Sequence, residues 1–134
     1  MTLPVTALTA AIVAIMLLIT AIDTVRQRLR ARAAFGDASD SRLIMASRSH
    51  GNLAEHGPIV VIMIALLEMV PVNHMALTGV AIFFLAARAL HIIGIYAPIS
   101  TRPPLPRLLG VIGTWLTMAV LILWILYLVV TVNG

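Results

Sequence analysis

The stretch RSHGNLAEHGP, residues 48–58, carries charged and amide side chains directly into an apolar segment. At about 100° per residue on a helix, Asn52 lies roughly 40° and Glu55 roughly 20° from Arg48, so the three share one stripe. His50 falls on the opposite face. A guanidinium, an amide and a carboxylate on one stripe can bind a polar ligand or hydrogen bond to a neighbouring helix.

A second polar pair lies inside the apolar run IFFLAARALHIIGIY, at Arg88 and His91. An ionisable side chain in such a run is costly unless it is paired or faces water or a ligand. If the two helices are antiparallel, a rise of about 1.5 Å per residue puts Glu55 and Arg88 at one depth, roughly 15 Å from the helix ends. We therefore expect Glu55 opposite Arg88, and Asn52 facing His91.

Positive charge exceeds negative charge in this set. Arg107 begins the fourth apolar segment at the same surface, so Arg48, Arg88 and Arg107 outnumber the single Glu55. A surplus of buried positive charge favours a bound anionic ligand. The alternative is a purely structural network that joins the helices. The isolated polar residues, namely His50, His56, Glu68 and His74, are expected to contact the interface or the headgroups.

Four apolar segments must position these residues. They span residues 3–22, 59–67 extended backward through the quoted stretch, 75–97 and 108–132. Of the 134 residues 61% are hydrophobic and 10% charged, with a mean hydropathy of +1.07. A soluble domain has roughly 25% charged residues. We predict an all-α membrane protein, a bundle of four transmembrane helices forming one domain over residues 1–134.

Arginine placement predicts the orientation. Five arginines lie in the first connection and two in or beside the third, whereas the second connection and both termini have none. The positive-inside rule then places both termini outside the cytoplasm and the arginines against anionic lipid headgroups. The first segment lacks a basic leader and a cleavage site, so it is expected to be a retained helix. Gly110 and Gly113 in the fourth segment allow close helix contact, within the chain or between subunits.

Several function classes are disfavoured. The chain has no cysteine, which excludes disulfides and thiolate metal ligands. Its four histidines show no i, i+4 pair of the kind that binds zinc on a helix, so no metal site is expected. No serine nucleophile with a partnered histidine and acid is visible, and no phosphate-binding glycine loop. The basic residues fit membrane topology better than nucleic-acid binding.

The motif at residues 48–58 resembles the helix-two signature of the MAPEG family, the membrane-associated proteins in eicosanoid and glutathione metabolism. RALH at residues 88–91 is similar to the helix-three motif, and AAFGD at residues 33–37 also fits. Within the family, the chain resembles short bacterial inner-membrane members. The resemblance implies a homotrimer that binds glutathione between subunits near the cytoplasmic side. It implies ligand roles for Arg48, Asn52, Glu55, Arg88, His91 and Arg28.

The resemblance also implies a role for Arg107, which would stabilise the thiolate of glutathione. The implied activity is transfer of the thiolate to lipophilic electrophiles, or reduction of lipid peroxides. Active members carry a serine after the helix-four arginine and a tyrosine one turn further, where this chain has Leu108 and Gly110 or Val111. Two alternatives therefore stay open: a non-catalytic protein that binds a lipid or anionic amphiphile in the same crevice, and a structural membrane bundle.

Overall fold

The computed structural model describes residues 2–98 and 102–133, with the side chains described as far as residue 131. Within those residues the chain forms four α-helices and no strand: α1 Pro4–Ala31, α2 Ser41–Glu68, α3 His74–Ile95 and α4 Leu105–Asn133. All four are long and apolar enough to cross a membrane. The predicted all-α architecture is confirmed, with four helices whose length and composition suit a membrane span. Residues 99–101 of the third connection lie outside the described residues.

The first helix is longer than its apolar segment. It continues to Ala31 and ends at Arg32 in the left-handed conformation, with φ of 52°, rather than ending near Ile22. Arginine, glutamine, leucine and alanine are strong helix formers, so the sequence after Ile22 continues the helix outside the apolar region. The hydropathy pattern thus identifies the apolar part of α1, but it does not show where the helix ends.

The second helix begins before the quoted stretch. Asp40 caps its first turn by accepting a 2.9 Å hydrogen bond from the backbone N–H of Leu43. The helix then continues without a break through Pro58 to Glu68. The polar stretch is therefore the middle of a long helix and not its start.

The helices pack as two antiparallel pairs. α1 contacts mainly α2, and α3 contacts mainly α4, while α2 and α3 join the pairs; α1 and α4 make no close contact within the described part of the chain. The apolar core is built around Leu53, Val60, Ile64, Phe84 and Leu121. Most of this core lies on one side of Asn52 and Arg88, towards the end of α2 and the start of α3.

At the opposite end, Glu68 joins α2 to α1. Its buried carboxylate accepts hydrogen bonds of 2.8 Å from the Val5 N–H, 2.7 Å from the Thr6 N–H and 2.7 Å from the Thr6 hydroxyl. The first N–H groups of a helix lack partners within the helix, and Leu3 offers no side-chain cap here. Glu68 is thus a structural cap for α1, whereas the sequence suggested a contact with headgroups.

Candidate functional site

A cavity of about 730 Å³ opens between α2, α3 and α4, at the end where α3 finishes and α4 begins. Six of the seven predicted site residues line it: Arg48, Asn52, Glu55, Arg88, His91 and Arg107. The other lining residues are Ser47, Gly51, His56, Ile95, Val111, Thr114 and Trp115. The structure therefore brings the predicted cluster into one space, with three guanidinium groups and one carboxylate.

Arg88 is the buried centre of this cluster, with 1% of its surface exposed. Its Nη2 donates a 2.7 Å hydrogen bond to Oδ1 of Asn52, and its Nη1 donates a 3.1 Å bond to the hydroxyl of Thr114. Its Nε is buried and has no hydrogen-bond partner within the described residues. Both of these acceptors are neutral, so neither neutralises the guanidinium.

His91 contacts the same guanidinium. Its Nδ1 lies 3.3 Å from Nη2 of Arg88. Because arginine can only donate, Nδ1 must accept, and this contact requires the tautomer that carries its proton on Nε2. Nε2 of His91 is then the nitrogen that could donate to a bound ligand.

The expected pairing of residues across α2 and α3 differs by one helical turn. Arg88 meets Asn52 and not Glu55, and the carboxylate of Glu55 forms no ion pair within the described part of the chain. Counting residues gives the depth of each Cα, but a long arginine side chain reaches a partner one turn away. The expected contact between Asn52 and His91 is replaced by the bond from Arg88.

Glycines set the close approach of α3 and α4 beside the cavity. A Cβ at Gly110 would lie 2.5 Å from the backbone nitrogen of His91, and a Cβ at Gly94 would collide with the backbone nitrogen of Arg107. Each helix thus presents a glycine to the other helix next to a site residue. The sequence did not show whether these glycines allow close helix contact within one chain or between subunits. At Gly110, the close contact is between α3 and α4 of the same chain.

The two faces of α2 have separate roles. Arg48 and Glu55 are exposed on the rim of the cavity, in keeping with the predicted common stripe. His50 lies on the opposite face, as predicted, but it contacts the bundle and not the headgroups that the sequence suggested: its Nδ1 is 3.1 Å from the hydroxyl of the buried Thr20 in α1. That hydroxyl donates its proton to the Met16 carbonyl, 2.9 Å away, so Nδ1 of His50 is the donor in the contact.

Arg28 lies away from the cavity of its own chain. Its Nη1 donates a 3.0 Å hydrogen bond to the carbonyl of Gly36 in the connection between α1 and α2. Within one chain, Arg28 therefore stabilises that connection, and its ligand role stays a prediction.

Tyr96 at the end of α3 also faces away from the cavity. Its hydroxyl donates a 2.6 Å hydrogen bond to Oδ2 of Asp23 in α1. Partial burial and this bond to a carboxylate raise the pKa of the Tyr96 hydroxyl. Tyr96 thus joins α3 to α1 where α3 ends.

Among the seven other lining residues, Thr114 was missed and His56 was misassigned from the sequence. Thr114 lies seven residues after Arg107, about two helical turns along the same face, a spacing that could have indicated it. His56 lies four residues after Asn52, and its Nδ1 is 2.9 Å from the Asn52 carbonyl. The sequence assigned His56 to the membrane interface, but it lines the cavity. No cluster of metal-ligating side chains exists among the described residues.

Comparison with known proteins identifies the family. The MAPEG family model matches residues 6–127. This chain belongs to the MAPEG family. It is 31% identical over 119 residues to the inner membrane protein YecN of Escherichia coli K12, covering 89% of this chain and 88% of that protein. YecN of Escherichia coli O6:H1 matches to the same extent. No solved structure matches the chain.

Within this MAPEG chain, the positions after Arg107 lack hydroxyl groups. Leu108 is exposed, and Val111 presents an aliphatic side chain to the cavity. The hydroxyl of Thr114 accepts from Arg88 and donates its proton to the Gly110 carbonyl at 2.8 Å. The cavity thus combines strong anion-binding groups with the aliphatic side chain of Val111, and the lining groups able to transfer a proton are Glu55, His56 and His91.

Proposed function

We propose that the cavity of this MAPEG-family membrane protein binds glutathione. Arg48 and Arg88 hold the two carboxylates, and Glu55 receives the amine. Asn52 positions Arg88, and His91 donates to the ligand from Nε2. Membrane lipids and a lipophilic second substrate are the other partners, and no metal or nucleic acid takes part.

The observation that carries this proposal is the environment of Arg88. A buried guanidinium costs free energy unless an anion or several acceptors compensate it. Asn52, Thr114 and His91 provide three neutral acceptors, while Nε has no hydrogen-bond partner within the described residues. A carboxylate ligand supplies the missing negative charge and a bidentate acceptor, which is the partner that guanidinium geometry favours.

Arg107 is the candidate for favouring the thiolate of glutathione, because nearby positive charge lowers the pKa of a thiol. In the transfer reaction, the thiol loses its proton to water and the sulfur forms a bond to an electrophilic carbon. The leaving group departs with its electron pair. With a lipid hydroperoxide, two glutathione molecules supply two electrons and two protons, which yields the disulfide, an alcohol and water.

A homotrimer would complete the site. Glu55 and Arg48 are exposed on α2 within a membrane-spanning helix, and charged side chains facing lipid are costly. A neighbouring copy would cover this face and enclose the cavity between subunits. Arg28, remote from the cavity of its own chain, would then be available to the ligand of a neighbour.

We also propose a bacterial inner membrane location with both termini outside the cytoplasm. The name of the YecN relatives supports the location, and the arginines at the cavity end of the bundle support the orientation. The cavity would then open towards the cytoplasm, where glutathione is available.

A second candidate is binding of a lipid or anionic amphiphile without turnover. The aliphatic side chains at Leu108 and Val111 favour it, because they leave no hydroxyl beside Arg107 to assist thiol ionisation. The same arginines would then hold an anionic headgroup. A purely structural role for the cluster is the third outcome.

One titration with two assays separates these functions. Detergent-solubilised protein is titrated with glutathione and with S-methylglutathione while thermal unfolding is followed, and conjugation of chlorodinitrobenzene is measured in parallel. Stabilisation with turnover supports the enzyme, and stabilisation alone supports the binder. No stabilisation by either compound contradicts glutathione binding.

The matched variants are Arg48→Gln and Arg102→Gln. Both arginines are exposed, but only Arg48 lines the cavity. Arg48→Gln should weaken glutathione binding by about tenfold, corresponding to one charge-assisted hydrogen bond of about 1.5 kcal/mol. Arg102→Gln should leave the affinity unchanged. Equal affinities for the two variants would point to a structural role for the cluster.

A further inference from the structure

Two helices continue beyond the level at which α3 ends. Tyr96 follows the last residue of α3 and bonds to Asp23, whereas α1 continues from Asp23 to Ala31. At about 1.5 Å per residue, α1 projects roughly 12 Å further. We define the basic extension as residues 24–47, which comprise the last turns of α1, the connection and the first turns of α2.

The basic extension is strongly positive, and its α2 part packs into the bundle. Leu43 and Ala46 are fully buried in its α2 part. It contains five arginines and two aspartates, a surplus of three positive charges. Asp40 pairs with Arg30, and Asp37 accepts from the backbone of Ser39.

Three guanidinium groups of the extension form no hydrogen bond or ion pair within the described part of the chain. They belong to the exposed residues Arg26, Arg32 and Arg42, of which Arg26 also interacts electrostatically with Asp23. On α1, Arg26 and Arg28 are about 160° apart and Arg30 lies within about 40° of Arg26, so the arginines occupy two opposite sides of the helix instead of one face. A rigid partner that docks on one side would not reach all of them, whereas a headgroup layer surrounds a helix that crosses it.

Large apolar side chains are exposed among these arginines. Leu29 is 76% exposed, and Phe35 at the tip of the connection is 92% exposed. Free phosphate or a nucleic-acid backbone would satisfy the arginines but leave both apolar groups in water. A membrane interface accommodates cationic and apolar side chains together, because phosphates and glycerol–acyl groups lie within a few ångströms of each other.

We propose that the basic extension is a docking surface for anionic phospholipids of the leaflet that surrounds it. Arg26, Arg32 and Arg42 bind headgroup phosphates, and Leu29 and Phe35 lie among the glycerol and upper acyl groups. The extension lies within or just above the headgroup layer, which adds roughly 5 to 7 Å on each side of the hydrocarbon. Binding fixes the part of α2 that forms one wall of the cavity at Ser47.

The absence of cysteine gives a direct test. A single cysteine introduced by Ala34→Cys, beside Phe35, is labelled with an environment-sensitive fluorophore. The labelled protein is placed in nanodiscs of phosphatidylcholine or of phosphatidylcholine with phosphatidylglycerol. We expect a blue shift and quenching by brominated acyl chains with phosphatidylglycerol, and loss of both at high salt.

The matched variants are the triple change Arg26→Gln, Arg32→Gln and Arg42→Gln, and the single change Arg102→Gln outside the extension. Each basic residue near an anionic surface contributes about a fivefold preference for it. The triple variant should therefore show a preference for phosphatidylglycerol lower by on the order of a hundredfold, with unchanged thermal unfolding in phosphatidylcholine. Arg102→Gln should lower the preference by at most about fivefold, because it removes a single basic residue at the same surface.

Three results would overturn the proposal. One is equal emission in both lipids for the parent protein, and another is an unchanged preference in the triple variant. The third is a blue shift in phosphatidylcholine nanodiscs, on addition of soluble glycerol phosphate or an oligonucleotide, as large as the shift seen with phosphatidylglycerol. That result would show that the arginines bind a soluble anion.

Discussion

Nη2 of Arg88 in α3 lies 2.7 Å from Oδ1 of Asn52 in α2, and this bond links the two helices at the floor of the cavity. A neutral amide is an unusual choice of partner for a buried guanidinium, since a carboxylate would cancel its charge. The amide fixes the position of Arg88 while leaving its charge available to a ligand.

Replacing Asn52 with aspartate tests this division of roles. Asn52→Asp supplies a carboxylate at the same position, so it should raise the free energy of unfolding without ligand but weaken anion binding by at least about tenfold. Asn52→Leu removes the acceptor and should cost about 1–3 kcal/mol of stability. Chemical denaturation and a glutathione titration measure the two effects. If the Asn52→Asp variant binds anions as well as the parent protein, Arg88 does not contact the ligand.

The sequence predicted which residues form the cluster, but not how they pair. Arg48, Asn52 and Glu55 recur at helical spacing, so their common face follows from the periodicity alone. The partner of Arg88 could not be read in this way, because an arginine side chain reaches across a full helical turn. Thr114 was missed because a threonine in an apolar helix usually bonds to its own backbone, which Thr114 also does.

The helices were predicted more reliably than their ends. Long apolar segments indicate spanning helices, and α3 begins and ends within two residues of the expected positions. The end of α1 and the start of α2 were wrong because local helix formers and the Asp40 cap decide them. Glu68 was misassigned because its partners, Val5 and Thr6, lie more than 60 residues away in the chain, beyond the reach of any local pattern.

Gly110 should tolerate no side chain. In Gly110→Ala the new Cβ would lie 2.5 Å from the backbone nitrogen of His91, so α3 and α4 must separate. We expect a loss of about 1–3 kcal/mol in the free energy of unfolding, together with weaker ligand binding because His91 and Arg107 move apart.

The matched control is Gly79→Ala in α3, where a Cβ would meet nothing within 4 Å. Alanine is favoured over glycine in a helix by about 0.5–1 kcal/mol, so this variant should be slightly stabilised. Denaturant titration of both variants measures the difference. If both variants change the free energy of unfolding equally, α3 and α4 do not approach each other at Gly110 as closely as the structure shows.

Glu68→Gln should release the start of α1. The amide keeps the shape of the side chain but turns an NH₂ group towards donors, so at least one of the three hydrogen bonds is lost. We expect a cost of about 2–3 kcal/mol and faster hydrogen exchange at Val5 and Thr6. His74→Ala is the control, because its ring is 58% exposed and its Nδ1 is 3.9 Å from the carboxylate, which is beyond hydrogen-bonding distance. A large effect of His74→Ala with little effect of Glu68→Gln would show that the ion pair, and not the cap, joins these ends.

The start of α2 should weaken in acid. The backbone N–H of Leu43 and the guanidinium of Arg30 hold the pKa of Asp40 below its usual value. Because the folded state favours the ionised carboxylate, its stabilising contribution is complete above the unfolded pKa of about 3.9 and is lost as the pH falls through the lower folded value. Hydrogen exchange of the first turn of α2, measured from about pH 6 to pH 2, should show this loss.

Asp40→Asn separates the charge from the cap. Asparagine still accepts from the N–H of Leu43, so the helix start should persist, but the Asp40-dependent part of the acid response should disappear. Asp40→Ala removes the acceptor and should expose the first turn to exchange at every pH. If Asp40→Asn loses protection in acid as the parent protein does, another group controls the start of α2, and the ionisation of Asp40 has no part in it.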